Sequence, residues 1–547
     1  RLVAVTSPEG GTWRQEYDVN GGPTRTTDPT DHVVESTRSP GGAVSTTVGD
    51  STAVVRTDTL GRIVSVQAPD GGSRLTRHDR CGRPVEYVDA LGHVTSLERD
   101  IAGRLVGLRR PDGSTTRYAW NRCGRLQSVT DPLGATTTFT YTADGHLATE
   151  TDATGAVTRY DYDALGRTVA RTAPGLGRST WTFDLAGRVV GLRDRMWGAR
   201  TFRYDAAGQL VEAVNAFGGV TRYRYDDLGR AIEVQDPMGG TVRRSWMPLG
   251  QIASETDPLG RTTRAGYDAA GRQVWQEQPD GQRLTWAYDA TGAMTDLAVD
   301  GETVTRFTRA ADGRRLTAAT ADGEVSLVWD AAGRLVERAR DGRSLRWSWD
   351  DNGRCVGVTT PAGTSTRYER DAAGRVTAID ADGIGRVEFV HDAAGRLVRA
   401  SSAGTTQEWE HRDGSVARHH LTEAGVRSTT ELMWDADGRL SGVVRDGRAE
   451  HFDHDAAGQL VARTGAGVEE RWAYDALGRV ASRSDASGEV HLEHDAAGQL
   501  TRTTSPATPR PRHPGATTRF LSRTIGPVSI RATAATTSSS SSTSMIP

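Results

Sequence analysis

One short motif recurs through most of this chain at an almost constant spacing. It consists of an aromatic residue, Asp, two variable residues, Gly and then Arg or Gln, as in residues 162–167, Tyr-Asp-Ala-Leu-Gly-Arg. The motif glycines follow one another at 21 residues from Gly61 to Gly313, and then at steps close to 21 as far as Gly498. A period of this size over hundreds of residues is typical of a repeat architecture, in which each unit contacts mainly its neighbours.

The motif itself predicts a turn that anchors each repeat. Asp in the first turn position can accept a hydrogen bond from the backbone two residues later, and Gly in the fourth position suits a type I turn whose last residue has positive φ. In the copies closest to the pattern, the predicted structural anchors are Tyr162, Asp163, Gly166, Arg167, Tyr204, Asp205, Gly208, Tyr225, Asp226, Gly229, Arg230, Tyr267, Asp268, Gly271, Arg272, Tyr288, Asp289, Gly292, Tyr474, Asp475, Gly478 and Arg479.

The segments between anchors alternate in polarity with a period of two. Tyr223 and Tyr225 alternate with Arg222 and Arg224, which indicates a strand with rings on one buried face and guanidinium groups on the other. A second turn signal, such as Asp-Pro-Leu-Gly at 131–134, lies midway between anchors. Each repeat is therefore predicted to be strand, turn, strand, turn, and the fold class all-β.

About forty short strands cannot form one flat sheet, because open sheets of more than ~10 strands curl or split. No sustained helical period is present to supply a covering layer. We therefore expect a spiralling ribbon of β-hairpins that covers its ring-bearing face by coiling. Four-stranded propeller blades of two repeats are the alternative, but the unit is 21 residues rather than 42, which favours the coiled ribbon.

The regularity of the motif divides the chain into four predicted segments. Residues 1–57 carry irregular repeats, 58–396 regular 21-residue repeats and 397–500 less regular repeats. Residues 501–547 contain no Tyr, Trp, Asp or Glu and end in a Thr/Ser-rich run, so we expect a disordered low-complexity tail.

Composition argues against several classes of partner and cofactor. The net charge is −3 and acidic residues balance arginine along the chain, so no basic footprint for nucleic acid is expected. No apolar run reaches the ~20 residues of a membrane-spanning helix. Three widely spaced cysteines do not form a disulfide framework. With no leader ahead of the repeats, the chain is expected to be an internal fragment.

The candidate chemical sites are all explained by the repeat pattern. His451 and His454, like His491 and His494, are three residues apart, which on a strand places them on opposite faces and disfavours one shared metal ion. Paired carboxylates suitable for glycoside hydrolysis recur at turn positions in nearly every repeat, and nothing distinguishes one pair. No catalytic, cofactor-binding or metal-binding residue is predicted, and the chain is expected not to be an enzyme.

The Tyr-Asp-x-x-Gly-Arg anchors at about 21 residues resemble the YD repeats of Rhs proteins, which also occur in toxin-complex C components and in teneurins. The resemblance covers roughly residues 50–500. It implies a β-shell of spiralling hairpins that, in bacterial members, encloses a C-terminal toxin for delivery in intercellular competition. Such members also carry a self-cleaving core region and a toxin after the last repeats. This chain shows neither, so it resembles a partial shell, and a secreted or cell-surface location is implied.

Two functions remain open on these grounds, with a hydrolase as a remote third. In the first, the chain is a non-enzymatic scaffold that houses or presents a toxin or other cargo polypeptide. In the second, it is a secreted or cell-surface module whose Tyr and Trp rings bind carbohydrate or contact another cell. Rings facing a cavity favour the first, and rings on an exposed polar face favour the second.

Overall fold

The computed structural model describes residues 2–7, 11–39, 42–49, 51–195, 198–289, 291–310 and 312–505. They form a single antiparallel sheet of 49 strands. Each strand pairs with the strands before and after it in the sequence, from β1–β2 to β48–β49, so the sheet is a continuous meander. Within these ranges there is no helix, and hence none that could span a membrane. The prediction of an all-β hairpin ribbon is confirmed.

The strands are β1 (Ala4–Thr6), β2 (Thr12–Tyr17), β3 (Pro23–Thr27), β4 (Val33–Arg38), β5 (Val44–Val48), β6 (Ser51–Thr57), β7 (Ile63–Gln67), β8 (Ser73–His78), β9 (Pro84–Val88), β10 (Val94–Arg99), β11 (Leu105–Arg109), β12 (Thr115–Trp120), β13 (Leu126–Thr130), β14 (Thr136–Tyr141), β15 (Leu147–Thr151), β16 (Val157–Tyr162), β17 (Thr168–Ala173), β18 (Gly177–Phe183), β19 (Val189–Asp194), β20 (Gly198–Tyr204), β21 (Leu210–Val214), β22 (Val220–Tyr225), β23 (Ala231–Gln235), β24 (Thr241–Trp246) and β25 (Ile252–Thr256). They continue as β26 (Thr262–Tyr267), β27 (Gln273–Glu277), β28 (Arg283–Tyr288), β29 (Met294–Val299), β30 (Glu302–Arg309), β31 (Arg315–Thr320), β32 (Gly323–Trp329), β33 (Leu335–Arg340), β34 (Arg343–Trp349), β35 (Cys355–Thr359), β36 (Ser365–Arg370), β37 (Val376–Ala381), β38 (Gly385–His391), β39 (Leu397–Ser402), β40 (Thr405–Arg412), β41 (Ser415–Glu423), β42 (Val426–Trp434), β43 (Leu440–Arg445), β44 (Arg448–His454), β45 (Leu460–Gly465), β46 (Val468–Tyr474), β47 (Val480–Asp485), β48 (Gly488–His494) and β49 (Leu500–Thr504).

Two rows of turns border the ribbon, one along each edge. We call the turns that contain the motif Asp and Gly the anchor turns, and those on the opposite edge the mid-repeat turns. In the anchor turn at Asp163, the Gly166 amide donates to the Asp163 carbonyl at 3.0 Å, and the Leu165 amide donates to its carboxylate at 2.9 Å. Gly166 has φ 76°. The predicted turn, with its side-chain acceptor and left-handed glycine, is confirmed.

A β-bulge accompanies the anchor turns and gives the ribbon a repeated bend. Between β22 and β23 the register shifts after Arg224 pairs with Glu233, so that Tyr225 pairs with Ala231. The same shift follows Glu98 in β10 and Ala473 in β46. A bulge bends its strand and increases the local twist. Repetition of this bend at one edge favours a coil over a flat sheet.

Contacts between distant turns show that the ribbon coils. The Arg314 guanidinium donates to the Asp70 carboxylate at 3.0 Å, across 244 residues, and the Asn215 amide donates to the Ala476 carbonyl at 2.7 Å, across 261 residues. Divided by the 21-residue period, these separations correspond to about twelve repeats, or about 24 strands, per revolution. We call β2–β24 the first coil and β25–β49 the second coil.

The length of the mid-repeat turn explains why the period drifts in the second coil. In the first coil the turn at 236–240 has the same form as an anchor turn, with the Gly239 amide donating to the Asp236 carbonyl at 3.1 Å. In the second coil, Asp446 and Gly447 form a two-residue hairpin turn, with φ 49° and 77°. Turns with positive φ at both positions match strand twist and tolerate Asp-Gly well. The shorter turn gives the 20-residue steps between Gly438 and Gly498.

The ribbon is a single layer, and its ring face is less buried than the sequence predicts. Tyr223 and Tyr225 are half-buried, while Arg222 and Arg224 on the other face are exposed. Among the described apolar side chains, the buried ones are Ala170, Ala173, Ala378, Trp409, Ala457 and Ala462. The ring face that the sequence predicts to be buried is therefore half-buried, because within the described ranges no second layer packs on the rings and neighbouring repeats shield them instead.

The predicted segments 1–57, 58–396 and 397–500 all contribute strands to the same sheet as far as they are described. The predicted start of the tail at residue 501 is four residues too early. Strand β49 runs to Thr504 and pairs with β48, with Leu492 opposite Thr503, because backbone pairing continues after the motif ends. The remainder of the predicted tail, residues 506–547, lies outside the described residues.

Candidate functional site

The anchor tyrosine joins each repeat to the one before it. The Tyr225 hydroxyl donates to the carbonyl oxygen of Leu210 at 2.7 Å, and the Tyr162 hydroxyl to that of Leu147 at 2.8 Å. The acceptor is in both cases the first residue of the outgoing strand, 15 residues earlier. The same bond is made by Tyr204 at 2.9 Å, Tyr267 at 3.1 Å, Tyr288 at 2.7 Å and Tyr474 at 2.7 Å.

The anchor arginine joins each repeat to the one after it. Nε of Arg188 donates to the Asp184 carboxylate at 2.7 Å, and one of its terminal nitrogens donates to the Asp205 carbonyl at 3.1 Å. Its guanidinium carbon also lies 4.9 Å from the centre of the Tyr204 ring. Arg167 stands over Phe183 at 4.6 Å and Arg272 over Tyr288 at 4.9 Å in the same way. Cation–π contacts of this kind shield the rings, which no second layer covers in the part of the chain that the structure describes.

These bonds hold the anchor carboxylates in their ionised form. The side-chain hydrogen bond from Arg230 and the backbone amide of the same residue lower the pKa of the Asp226 carboxyl. At Asp475, desolvation pushes the pKa upward, but the hydrogen bonds from the Arg479 amide and guanidinium outweigh it and leave the pKa lowered. Because this environment recurs at anchor after anchor, lowered carboxyl pKa values mark the scaffold here rather than one reactive site.

The first and second coils meet along a polar seam. We use the word seam for the contact between mid-repeat turns of the first coil and anchor turns of the second. Arg354 donates to the Asp112 carboxylate at 3.0 Å, and the Asn352 side chain donates to the same carboxylate. Nε2 of His93 lies 3.4 Å from the Asp351 carboxylate. Such ion pairs at half-exposed positions hold the coils together through many small contributions.

The backbones of the two coils approach closely at several seam glycines. A Cβ added to Gly198 would lie 2.7 Å from Ala216 Cβ and 2.9 Å from the Ala456 carbonyl oxygen. One added to Gly219 would overlap the Ala476 carbonyl oxygen. At these two positions the seam leaves no room for a side chain.

A cavity of about 790 Å³ opens on the ring face near the start of the first coil. It is lined by Arg74 and Tyr87 from the first coil and by the seam turn around Asn352 from the second. Tyr87 is 45% exposed, unlike the half-buried anchor rings. Among the described aromatic rings of the first coil, that of Tyr87 is the most open to a ligand.

The histidines considered as metal ligands occupy repeat positions in the sheet. His454 pairs with Leu460, and burial lowers the pKa of its imidazole. His494 pairs with Leu500 in the equivalent hairpin. His420 is buried, and its ring nitrogens lie 3.1 Å from the Glu410 carboxylate and 2.9 Å from the Thr429 hydroxyl. Within the described ranges, no three His, Cys, Asp or Glu residues are grouped as a metal site would require.

The seam and the ring-to-carbonyl bonds were both missed by sequence reasoning. The sequence does contain a signal for the ring-to-carbonyl bonds. The position of the anchor tyrosine is also occupied by Trp and Arg, and the feature that all three side chains share is a hydrogen-bond donor. Trp246 donates to the Ala231 carbonyl at 2.9 Å and Arg370 to the Cys355 carbonyl at 3.1 Å. The seam leaves a weaker signal, since it joins residues with no shared motif.

Comparisons with known proteins place these features in a family. The chain matches the Teneurin YD-shell family over residues 83–244 and the RHS Repeat family over 246–274, 329–365, 349–384 and 474–510. Together the matches cover about half of the chain. No curated protein sequence matches it.

Solved structures share the fold at low identity. The crystal structure of TcdB2-TccC3 without its hypervariable C-terminal region matches with a TM-score of 0.56 and 12% identity, over 91% of this chain and 31% of that chain. The crystal structure of TcdB2-TccC3 matches with a TM-score of 0.52 and 14% identity, over 91% and 40%. A mutant Tc holotoxin pore of Photorhabdus luminescens matches with a TM-score of 0.55 and 15% identity, over 90% and 30%.

At these identities the likeness shows the fold alone, and this chain spans roughly a third of the length of the chains that it matches. The shared coiled hairpin ribbon, the anchor motif and the two family matches agree with one another. The chain belongs to the Rhs/YD-repeat family and forms part of a YD-repeat shell.

Proposed function

We propose that this shell scaffold is non-enzymatic and encloses or presents a C-terminal toxin or other cargo polypeptide for delivery in intercellular competition, as a secreted or cell-surface protein. The observation that carries the proposal is the coil itself. About 24 strands spaced ~4.8 Å apart give a circumference of about 115 Å and a radius of about 18 Å. A single-layer wall of this radius leaves space for an extended polypeptide.

Two further observations support an enclosing role. The anchor rings donate their hydroxyl groups to backbone carbonyls, as at Tyr225, and stack under guanidinium groups, as at Tyr204, so they stabilise the wall. Among the similar structures, TccC3 is described with a hypervariable C-terminal region. That description concerns TccC3, and by analogy the cargo of this chain would follow its repeats.

A protease-protection assay tests enclosure. A small reporter polypeptide of low stability, with a specific protease site inside it, is fused after residue 547. We expect its cleavage to be at least tenfold slower than that of the same reporter added as a separate polypeptide, because a folded wall excludes the protease. Equal cleavage rates in the two cases would refute enclosure.

A carbohydrate-binding or adhesion role is the second candidate, and the cavity at Tyr87 is the observation that favours it. A half-open ring beside Arg74 offers a stacking surface together with a hydrogen-bond donor. A glycan array would detect selective binding, and Tyr87→Ala should abolish it while Tyr225→Ala should lower stability without a selective effect. Absence of selective binding by the folded wild-type chain would dismiss this candidate.

A further inference from the structure

The anchor turns of the first coil form an edge that no other part of the described chain covers. We call this edge the rim. Six of its turns carry a large aliphatic side chain at a central position, with an exposed fraction close to or above three quarters. These residues are Val19 at 96%, Leu60 at 74%, Ile101 at 108%, Leu165 at 76%, Leu185 at 108% and Leu228 at 72%.

The equivalent positions of the second coil are filled differently. There the anchor turns lie in the seam, and the central residues are mostly alanine, as at Ala331, Ala456, Ala476 and Ala496. The carbonyl oxygens of these alanines lie against first-coil glycines. The one leucine of the series, Leu477, is half-buried. The central pair of the anchor turn thus includes a large, well-exposed aliphatic residue in six turns of the first coil, whereas Leu477 is the one large aliphatic residue in the described anchor turns of the second coil.

Turn chemistry does not account for the aliphatic residues of the rim. The anchor turns at Asp163 and Asp455 make the same bond, with the Leu165 amide in one and the Ala457 amide in the other donating to the carboxylate at 2.9 Å. Alanine therefore satisfies the turn, and the rim side chains contact nothing that would stabilise the monomer. A row of exposed aliphatic groups on a continuous edge indicates an interaction surface.

We propose that the rim is the interface between two copies of this chain, which meet rim to rim about a two-fold axis perpendicular to the coil axis. A helical edge superposes on itself under such a rotation, so two rims follow each other along their whole length. The contact is isologous, and a closed symmetric pair is the commonest form of homo-oligomer. Each open coil would then close the other.

Charge and area support a second copy as the occupant. The charged central residues are Arg80 and Arg122 in the earlier part of the rim and Asp144 and Asp227 in the later part. A two-fold axis reverses the direction of one rim against the other and can place unlike charges opposite each other. A strip about 115 Å long and ~8 Å wide buries about 900 Å² per copy, which is comparable to a standard interface of ~800 Å² per partner.

A head-to-tail stack, in which the rim of one copy meets the free edge of the second coil of another copy, fits the observations less well. That free edge consists of tight polar turns such as those at Asp300, Asp341 and Asp446, each followed by Gly. Its well-exposed aliphatic side chains are fewer than those of the rim, and they include Ile384 at 65% and Val426 at 73%.

Sedimentation velocity over a range of concentrations tests the proposal on the full chain. We expect a twofold increase in mass with rising concentration. The variant Leu60→Asp/Leu165→Asp/Leu185→Asp/Leu228→Asp should weaken association by about 100-fold or more, since each truncated interface anchor commonly costs about tenfold. Rim side chains lack packed neighbours, so circular dichroism and the melting temperature should not change.

A matched control carries Ile384→Asp and Val426→Asp, which remove exposed aliphatic residues, at 65% and 73%, from turns outside the rim. This control should associate like the wild type. Hydrogen exchange should slow on association in the anchor turns at 58–61, 163–166 and 226–229, but not at 446–447. A monomeric wild type, a rim variant that still pairs, or binding of the monomer to phosphatidylcholine vesicles through the same leucines would overturn the proposal.

Discussion

The two coils share one repeat motif but differ at both of their edges. In the first coil the mid-repeat turns lie in the seam, and most of them keep the longer form seen at 236–240, although those before Ser51 and Gly177 are shorter. In the second coil the anchor turns lie in the seam and carry alanine, whereas the free mid-repeat turns shrink to Asp446-Gly447 and Ala466-Gly467. Short mid-repeat turns are thus more frequent on the free edge of the second coil than in the seam, although the second coil keeps the longer form at 278–282 and 360–364.

The ion pairs of the anchor turns also differ in exposure between the two coils. The Asp475 and Arg479 side chains, in the seam, are 14% and 21% exposed, against 22% and 29% for Asp163 and Arg167 on the rim. The hydrogen bonds are alike, with Nε to carboxylate distances of 2.7 Å in both turns. Identical local bonds are thus placed in a drier environment by the seam, where each contributes more to stability.

The largest expected effect is on the free energy of unfolding, and it distinguishes a glycine in the seam from a glycine inside the sheet. Gly219 and Gly357 are both buried and neither has positive φ, but only at Gly219 would a Cβ overlap the opposite coil. Gly219→Ala should lower the free energy of unfolding by about 1–3 kcal/mol, as overpacking does. Gly357→Ala, whose Cβ would lie 3.5 Å from Ser348, should cost less than half as much. Urea unfolding measures the free energy of unfolding of both variants. An equal loss in the two variants would mean that the first and second coils can move apart at the seam without cost.

The next effect compares one ion pair in each coil. Asp475→Asn keeps the turn acceptor but removes the charge that pairs with Arg479, and should cost about 1–2 kcal/mol in the free energy of unfolding. Asp163→Asn should cost measurably less, because the rim pair is more exposed. Thermal and urea unfolding of the two variants give the comparison. A larger loss at Asp163 would contradict the idea that the seam strengthens the second-coil anchors.

Most of the repeat could be predicted from the sequence, and most of the assembly of repeats could not. Strand alternation at Tyr223 and Tyr225 and the turn at Asp163 follow from local chemistry, so the hairpins were predictable. The seam depends on where residues 240 to 261 positions apart meet, which only the accumulated bend of many bulges determines. The ring-to-carbonyl bonds fall between these cases, since the donor is local but the acceptor is set by register.

Acidity should weaken the seam through the carboxyl group of Asp112. Desolvation raises the pKa of this group, but hydrogen bonds from Ser114, Asn352 and Arg354 outweigh it and leave the pKa below its ordinary value of 3.8. The stabilisation is therefore complete above about pH 5 and is lost as pH falls below about 4. The difference in unfolding free energy between the wild type and Asp112→Asn should shrink from pH 6 to pH 3. A difference that stays constant with pH would contradict this role.

The smallest expected effect tests whether the free mid-repeat edge obeys turn chemistry alone. Ala466 has φ 53°, a conformation that costs an alanine about 1 kcal/mol and that asparagine adopts more readily. Ala466→Asn should therefore raise the free energy of unfolding by about 0.5–1 kcal/mol. Ala473→Asn, at an exposed position of the next strand, is the control and should give no gain. If Ala466→Asn were destabilising instead, some contact would have to cover this edge, and the two coils would be more alike than their turns indicate.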